Sequence, residues 1–180
     1  IIDVQTMRVG IDYDVASYGK GGIARYTKAL VEGLIQRENL EVVLIVKEQN
    51  SIPAGNNVTY YCHGMSRLRF RLCLIVWHVL SIRCFRNWPI LDVFHGTDFA
   101  FPPVGAGADQ VVVNIHDVIP LKWPDEVSWR HRLHFRVFCH LVKKTKVPVI
   151  VPSIVVANDV TEMLDVPSSR VHVVHYGVCI

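Results

Sequence analysis

Short apolar runs alternate with stretches of helical period along this 180-residue chain, and that alternation restricts the fold more than any other feature. "RVGID" (8–12), "EVVLIV" (41–46), "NVTYY" (57–61), "LDVFH" (91–95), "QVVVNIH" (110–116), "VPVIVPS" (147–153) and "VHVVHYG" (171–177) read as strands. Between the first two, "GIARYTKALVEGLIQR" (22–37) puts Ile23, Tyr26, Ala29, Leu30 and Leu34 on one stripe, with Lys28 and Glu32 opposite. Residues 66–86, 126–145 and 154–164 read as further helices. Strands separated by helices build a parallel sheet, and the wholly apolar run 41–46 suits a strand covered on both faces. The expected fold is α/β: a Rossmann-like, doubly wound, mainly parallel sheet of about seven strands flanked by helices. The length gives room for one full core and no second. No internal repeat, low-complexity segment or linker interrupts it.

Hydrophobic residues make up 51% of the chain and its mean hydropathy is +0.28, apolar for a soluble domain but neither disordered nor fibrous. A net charge of +3 is too mild to argue for nucleic acid, and no nucleic-acid recognition motif is present. The five cysteines (62, 73, 84, 139 and 179) are odd in number and form no C-x-x-C pair, so free, mostly buried thiols in a reducing compartment are expected. Cys73 and Cys84 are placed on one helix face as core residues. The N-terminus lacks the pattern of a signal peptide, and Met7 reads as a natural start with residues 1–6 upstream. The longest apolar run, "LCLIVWHVLSI" (72–82), is too short for a bilayer, which needs about 20 residues.

In an open parallel sheet, ligands bind outside the carboxyl ends of the strands. Three polar loops occupy such positions, residues 13–22, 95–102 and 116–124, with Asp12, His95 and His116 at their mouths. Each residue alone has an ordinary explanation: Asp12 could cap a turn, and a strand-end histidine could bond a loop carbonyl. Three together point to a site. The first loop carries glycines at 19, 21 and 22. It is not a Walker A loop, because Gly21 follows Lys20 where Ser or Thr is required. Gly19-x-Gly21-x-x-Ala24 matches a dinucleotide fingerprint in part, but residues Tyr13 to Tyr18 separate it from the strand, and Lys47 stands before Glu48 where an acid should end the second strand. What remains is an anion-facing loop: flexible glycines and backbone N–H groups at a helix N-terminus.

Four motifs, in order, resemble the retaining glycosyltransferases of family 4, especially the mannosyltransferase-like branch. They are "GIDYD…GKGGIARYTKALVEGL", "DVFHGTDFAFPP", "NIHDVIPLKWPDE" and "VIVPSIVVANDVTEMLDVPSSRVHVVHYGV". The resemblance runs from Met7 to Val178. It implies the N-terminal, acceptor-side half of a two-domain GT-B enzyme (domain 7–178). Such an enzyme moves a hexosyl group from a nucleoside diphosphate sugar to a glycan or lipid-linked acceptor with retention. The nucleotide-sugar-binding domain, with a Glu-x7-Glu motif, would be absent from this chain, and the isolated chain is expected to be inactive. The alternative is a non-catalytic Rossmann-like binding module or inactive fragment.

Carried over residue by residue, the resemblance puts Gly19, Gly21 and Gly22 on the donor diphosphate. It puts His116 near the donor sugar and reacting centre, with Asp117 orienting it or the acceptor. Asp12 would line the same cleft as a third catalytic residue, with His95, Thr97 and Asp98 on the acceptor side, and Ser153 near the hinge. Ala24 stands where the family has glycine, and Tyr176 where it has asparagine. The resemblance further implies no tightly bound cofactor, no required metal, and a role in cytoplasmic cell-envelope polysaccharide biosynthesis.

Residues 67–88, "RLRFRLCLIVWHVLSIRCFRNW", carry Arg67, Arg69, Arg71, Arg83 and Arg86 around an apolar middle. This segment is either a core helix with solvated ends or an interfacial helix on anionic lipid, with Phe70, Trp77, Phe85 and Trp88 at the boundary. The second reading would make the protein peripheral on the inner face of the membrane. His131-x-x-His134 shares a helix face but shows no third ligand, so a surface is expected there and not a metal.

Overall fold

The computed structural model describes residues 6–49, 52–80, 84–85, 87–99 and 108–177, the side chains of Arg67 and His78 excepted. Expectations for residues 1–5, 100–107 and 178–180, for Arg83 and Arg86, and for the Arg67 side chain lie outside the described residues. The strands are β1 (Met7–Asp12), β2 (Leu40–Val46), β3 (Val58–Cys62), β4 (Val93–Gly96), β5 (Gln110–Asn114), β6 (Val149–Val151) and β7 (Val171–Val173). The helices are α1 (Asp14–Tyr18), α2 (Gly22–Ile35), α3 (Arg67–Leu80), α4 (Ile119–Lys122), α5 (Trp129–Lys144) and α6 (Ile154–Leu164). Every described strand pairing is parallel, and the fold is α/β and Rossmann-like.

The chain divides into two compact units, Ile1–Val111 and Val112–Ile180, with the division inside β5. In the first, the strand order is β3-β2-β1-β4. The chain therefore moves outward from β1 to β3 and returns to the other side of β1, which makes β1/β4 a topological switch point. As its sequence requires, β2 is buried from Val42 to Val46, while β3 is an edge strand with Thr59, Tyr60 and Cys62 exposed. Val9, Ile11, Val31, Val42, Leu44 and Val46 form one core cluster. In the second unit β6 lies between β5 and β7, and Phe135, Phe138, Val142, Val149, Val151 and Val160 are buried. Ser128 and Ser153 start α5 and α6 as N-caps, their hydroxyls accepting from the amides of His131 and Val156, each at 3.3 Å.

Several expectations are corrected. The stretch 13–22 is not all loop, because Asp14–Tyr18 forms a helix of its own. The loop after β5 likewise holds α4. His95 lies within β4, and His116 comes two residues after β5 ends. The basic helix is described over Arg67–Leu80, and Cys84 is not helical. Phe70, Trp77, Phe85 and Trp88 do not sit at a boundary with solvent. All four are buried in one aromatic cluster, with Trp77 and Trp88 edge to face at 5.6 Å and Phe85 against each tryptophan.

The described thiols are not mostly buried either: Cys62 is exposed, Cys73 and Cys84 are half-buried, and Cys139 is buried. Burial pushes the Cys139 thiol up to about 12, so it stays protonated at any pH where the protein is handled. The thiolate is the nucleophile. Mass-spectrometric mapping of alkylation at mildly alkaline pH should therefore find Cys62 modified in the folded protein and Cys139 modified only after denaturation. Equal labelling of the two in the folded state would contradict the burial.

Candidate functional site

The switch point of the first unit is closed by polar groups. Asp12 ends β1 and His95 lies in β4, and Asp12, His95, Thr97 and Asp98 are all buried. The Thr97 hydroxyl donates to the Asp12 carbonyl at 2.6 Å, tying the carboxyl ends of β1 and β4 together. Asp98 accepts from Arg71, Nη2 to Oδ2 at 2.6 Å, and the same nitrogen donates to the Asp98 carbonyl. Arg71 is thus turned inward to hold this loop and is not offered to a surface. Phe99 follows in the left-handed region, φ 50, where a bulky side chain costs roughly 1–3 kcal/mol. The loop keeps that conformation because Thr97, Asp98 and the buried Phe99 ring are each fixed.

Asp14 was missed in the sequence. With Asp12 it has Asp-x-Asp spacing, a pattern associated with divalent cations, yet its carboxylate is already committed. Oδ1 accepts from the Lys47 amide at 2.6 Å, and Oδ2 faces His63 Nε2 at 3.1 Å. The Met65 amide donates to His63 Nδ1 at 3.1 Å, so the ring proton sits on Nε2 and is donated to Asp14. The imidazole stacks on Phe70 at 4.0 Å. The pair is a latch between the start of α1 and the end of β3. Among the described residues no group of three His, Cys, Asp or Glu side chains could hold a metal, and His131 and His134 lie on α5 without such a group.

Beside the latch, Asp14, Val15, Tyr18, Gly19 and Lys47 line a cavity of about 180 Å³. Burial, with the charge of Asp14 next, lifts the Tyr18 hydroxyl above its ordinary value. The Lys47 ammonium is held at 2.5 Å by Glu48, which raises its own.

The three glycines divide into two kinds. A Cβ on Gly19 would lie 2.4 Å from the Val15 carbonyl oxygen and 3.0 Å from the Ala24 Cβ, so packing requires glycine there. It also explains why Ala24 is accommodated: Gly19 provides the room. A Cβ on Gly21 or Gly22 would meet nothing within 4 Å, and Gly21 has an ordinary extended backbone. Neither needs to be glycine for the fold. Gly21 is the N-cap of α2 and has no side chain to cap the first-turn amides, which have no intrahelical acceptor.

In the second unit, Tyr176 bonds His116 Nδ1 through its hydroxyl. The Asn114 amide nitrogen, which only donates, lies 3.5 Å from the same hydroxyl. Accepting from Asn114 leaves the Tyr176 proton available for Nδ1, the arrangement in which the ring proton of His116 sits on Nε2. Asp117 does not supply this bond. Its Oδ1 accepts from the Ile119 amide at 2.9 Å and starts α4. Ser153 is spent on capping α6.

These features define a Rossmann-like α/β domain with polar groups at the carboxyl ends of its strands. Residues 20–180 match the family model described as Glycosyltransferase Family 4, and the chain belongs to that family. No curated protein matches the chain. Among solved structures it is similar to a short chain dehydrogenase family protein from Francisella tularensis subsp. tularensis SCHU S4, at 14% identity and a TM-score of 0.46, over 91% of this chain and 79% of that one. A likeness at that level carries no weight for function.

Proposed function

We propose that the chain is the acceptor-side half of a retaining GT-B hexosyltransferase, of the mannosyltransferase-like branch. It would act with a nucleoside diphosphate sugar and a glycan or lipid-linked acceptor, in cytoplasmic cell-envelope polysaccharide synthesis. Family membership over residues 20–180 is the observation that carries the reading. The open surroundings of Gly21 and Gly22 support it, since room that the fold does not use is room for a ligand's approach.

On this reading the diphosphate meets the first-turn amides of α2, where the helix dipole favours an anion. Fixed amide donors can offset charge on a leaving diphosphate without a metal. With Tyr176 donating to Nδ1, His116 presents Nε2–H and donates it to a hydroxyl of the donor sugar. Asp12, His95, Thr97 and Asp98 belong to the binding cleft, and Asp117 and Ser153 shape the backbone around His116 and the hinge. The nucleotide is held by a second domain bearing Glu-x7-Glu.

The test is nucleoside diphosphate release by the longest polypeptide the gene encodes, across uridine, guanosine and adenosine diphosphate sugars with glycan and lipid-linked acceptors. Acceptor-dependent release supports the reading; no release with any donor opposes it. Calorimetry on residues 1–180 alone should show weak binding of these donors at most.

The glycines give a sharper test. Gly19→Ala forces a Cβ onto a backbone oxygen and should cost ~1–3 kcal/mol of stability. Gly22→Ala should leave the thermal midpoint level or raise stability by ~0.4–1 kcal/mol while lowering release. Gly22→Ala with full activity would remove that loop from donor binding.

A further inference from the structure

The helix α3 is apolar on both of its long sides. Phe70, Leu74 and Trp77 face the core and are buried. On the opposite side Leu68, Leu72, Val76, Val79 and Leu80 are between 37% and 63% exposed. At 3.6 residues per turn these five fall in one arc of about 120°, with exposed Arg69 inside it. A surface helix ordinarily turns its polar residues outward. Here the outward face is an apolar stripe interrupted only by Arg69, the mark of a surface that something else covers.

The charge around the stripe selects the occupant. From Gln49 to Leu91 the chain has no aspartate or glutamate, and every formally charged residue in that interval is arginine. Arg71 is withdrawn into its pair with Asp98, but Arg69 remains outside. A second copy would bring two such acid-free, arginine-bearing faces together, and like charges oppose that. The helix runs about 21 Å, too short to cross a bilayer but suited to lie along one, and among the described residues no helix is long and apolar enough to cross a membrane. We infer that the outward face of α3 docks on an anionic lipid bilayer, lying in its plane, with Leu68, Leu72, Val76 and Val79 in the acyl boundary and Arg69 among the headgroups. The residues differ from those the sequence suggested: the aromatic side chains face the core, and the aliphatic ones face out. The inference does not depend on the transferase reading, and either can fail alone.

Co-sedimentation with phosphatidylcholine vesicles, with and without phosphatidylglycerol, tests it on the full chain. The wild type should pellet with the phosphatidylglycerol vesicles only, and less so as salt rises. Leu68→Gln/Leu72→Gln/Val79→Gln should abolish binding while leaving the thermal midpoint in place, since the three side chains are exposed. Arg69→Gln, which removes no packing, should weaken binding about fivefold. Equal binding to both vesicles, binding to neither, or undiminished binding by the triple variant would each overturn the inference. So would a wild-type dimer in sedimentation velocity that the triple variant dissolves, which would assign the face to a second copy.

Discussion

His116→Ala should lower the rate of sugar transfer roughly 10²–10⁴-fold, the usual worth of a positioned proton-donating group, with the thermal midpoint little changed. The imidazole is only half-buried, so its removal opens no core cavity. Its ring bonds a tyrosine hydroxyl that sits beside the Asn114 amide, so truncation does not strand a charge. Tyr176→Phe should produce a smaller loss, because it frees the ring without removing it. Steady-state rates with the donor and acceptor found to support release would check both. An unchanged rate in His116→Ala would remove this residue from the chemistry, whatever the family.

Trp77→Ala should cost about 3–5 kcal/mol. The indole is almost wholly buried and packs on Phe85 at 5.8 Å and on Trp88 at 5.6 Å. Its removal leaves a large void between α3 and the aromatic side chains that follow it. For a chain of this size that cost corresponds to a fall of roughly 6–20 °C in Tm. Leu72→Ala, on the other side of the same helix, should change stability by no more than about 0.5 kcal/mol. The two melts together read which side of α3 is inward. Similar losses from both would mean that the outer side is covered in the isolated chain, and would also remove the basis for lipid docking.

The fold was legible in the sequence because each buried strand of β1, β2, β4, β5 and β6 is an apolar run, and each long helix carries a period or a cap. The short helices were not. A five-residue helix such as α1 offers no period, and a stretch holding Asp14, Ser17 and three nearby glycines reads as loop. The sidedness of α3 was hidden for a different reason: with apolar residues on both sides there is no single stripe to detect, so a core helix and an interfacial helix with tryptophan at the boundary both stayed open. The structure turns Trp77 and Arg71 in and Leu68 and Leu72 out.

In the site, residues at strand ends could be named from position alone, which is how Asp12, His95 and His116 emerged. Their partners could not. Asp14 and His63 are 49 residues apart, and His116 and Tyr176 are 60 apart. Nothing local marks such pairs. The Asp12-Tyr13-Asp14 spacing was overlooked, and no Asp-x-Asp was expected; the structure shows that both oxygens of Asp14 are already taken. The distinction between Gly19, which packing demands, and Gly21 and Gly22, which it does not, likewise exists only in three dimensions.

The central claim is sugar transfer with retention by a protein whose acceptor-side half is this chain. Nuclear magnetic resonance of the purified glycoside, formed by the longest polypeptide the gene encodes from an α-configured nucleoside diphosphate sugar, tests it most directly. An α-linked product is expected. A β-linked product, or release of free sugar with no glycoside formed, would contradict it.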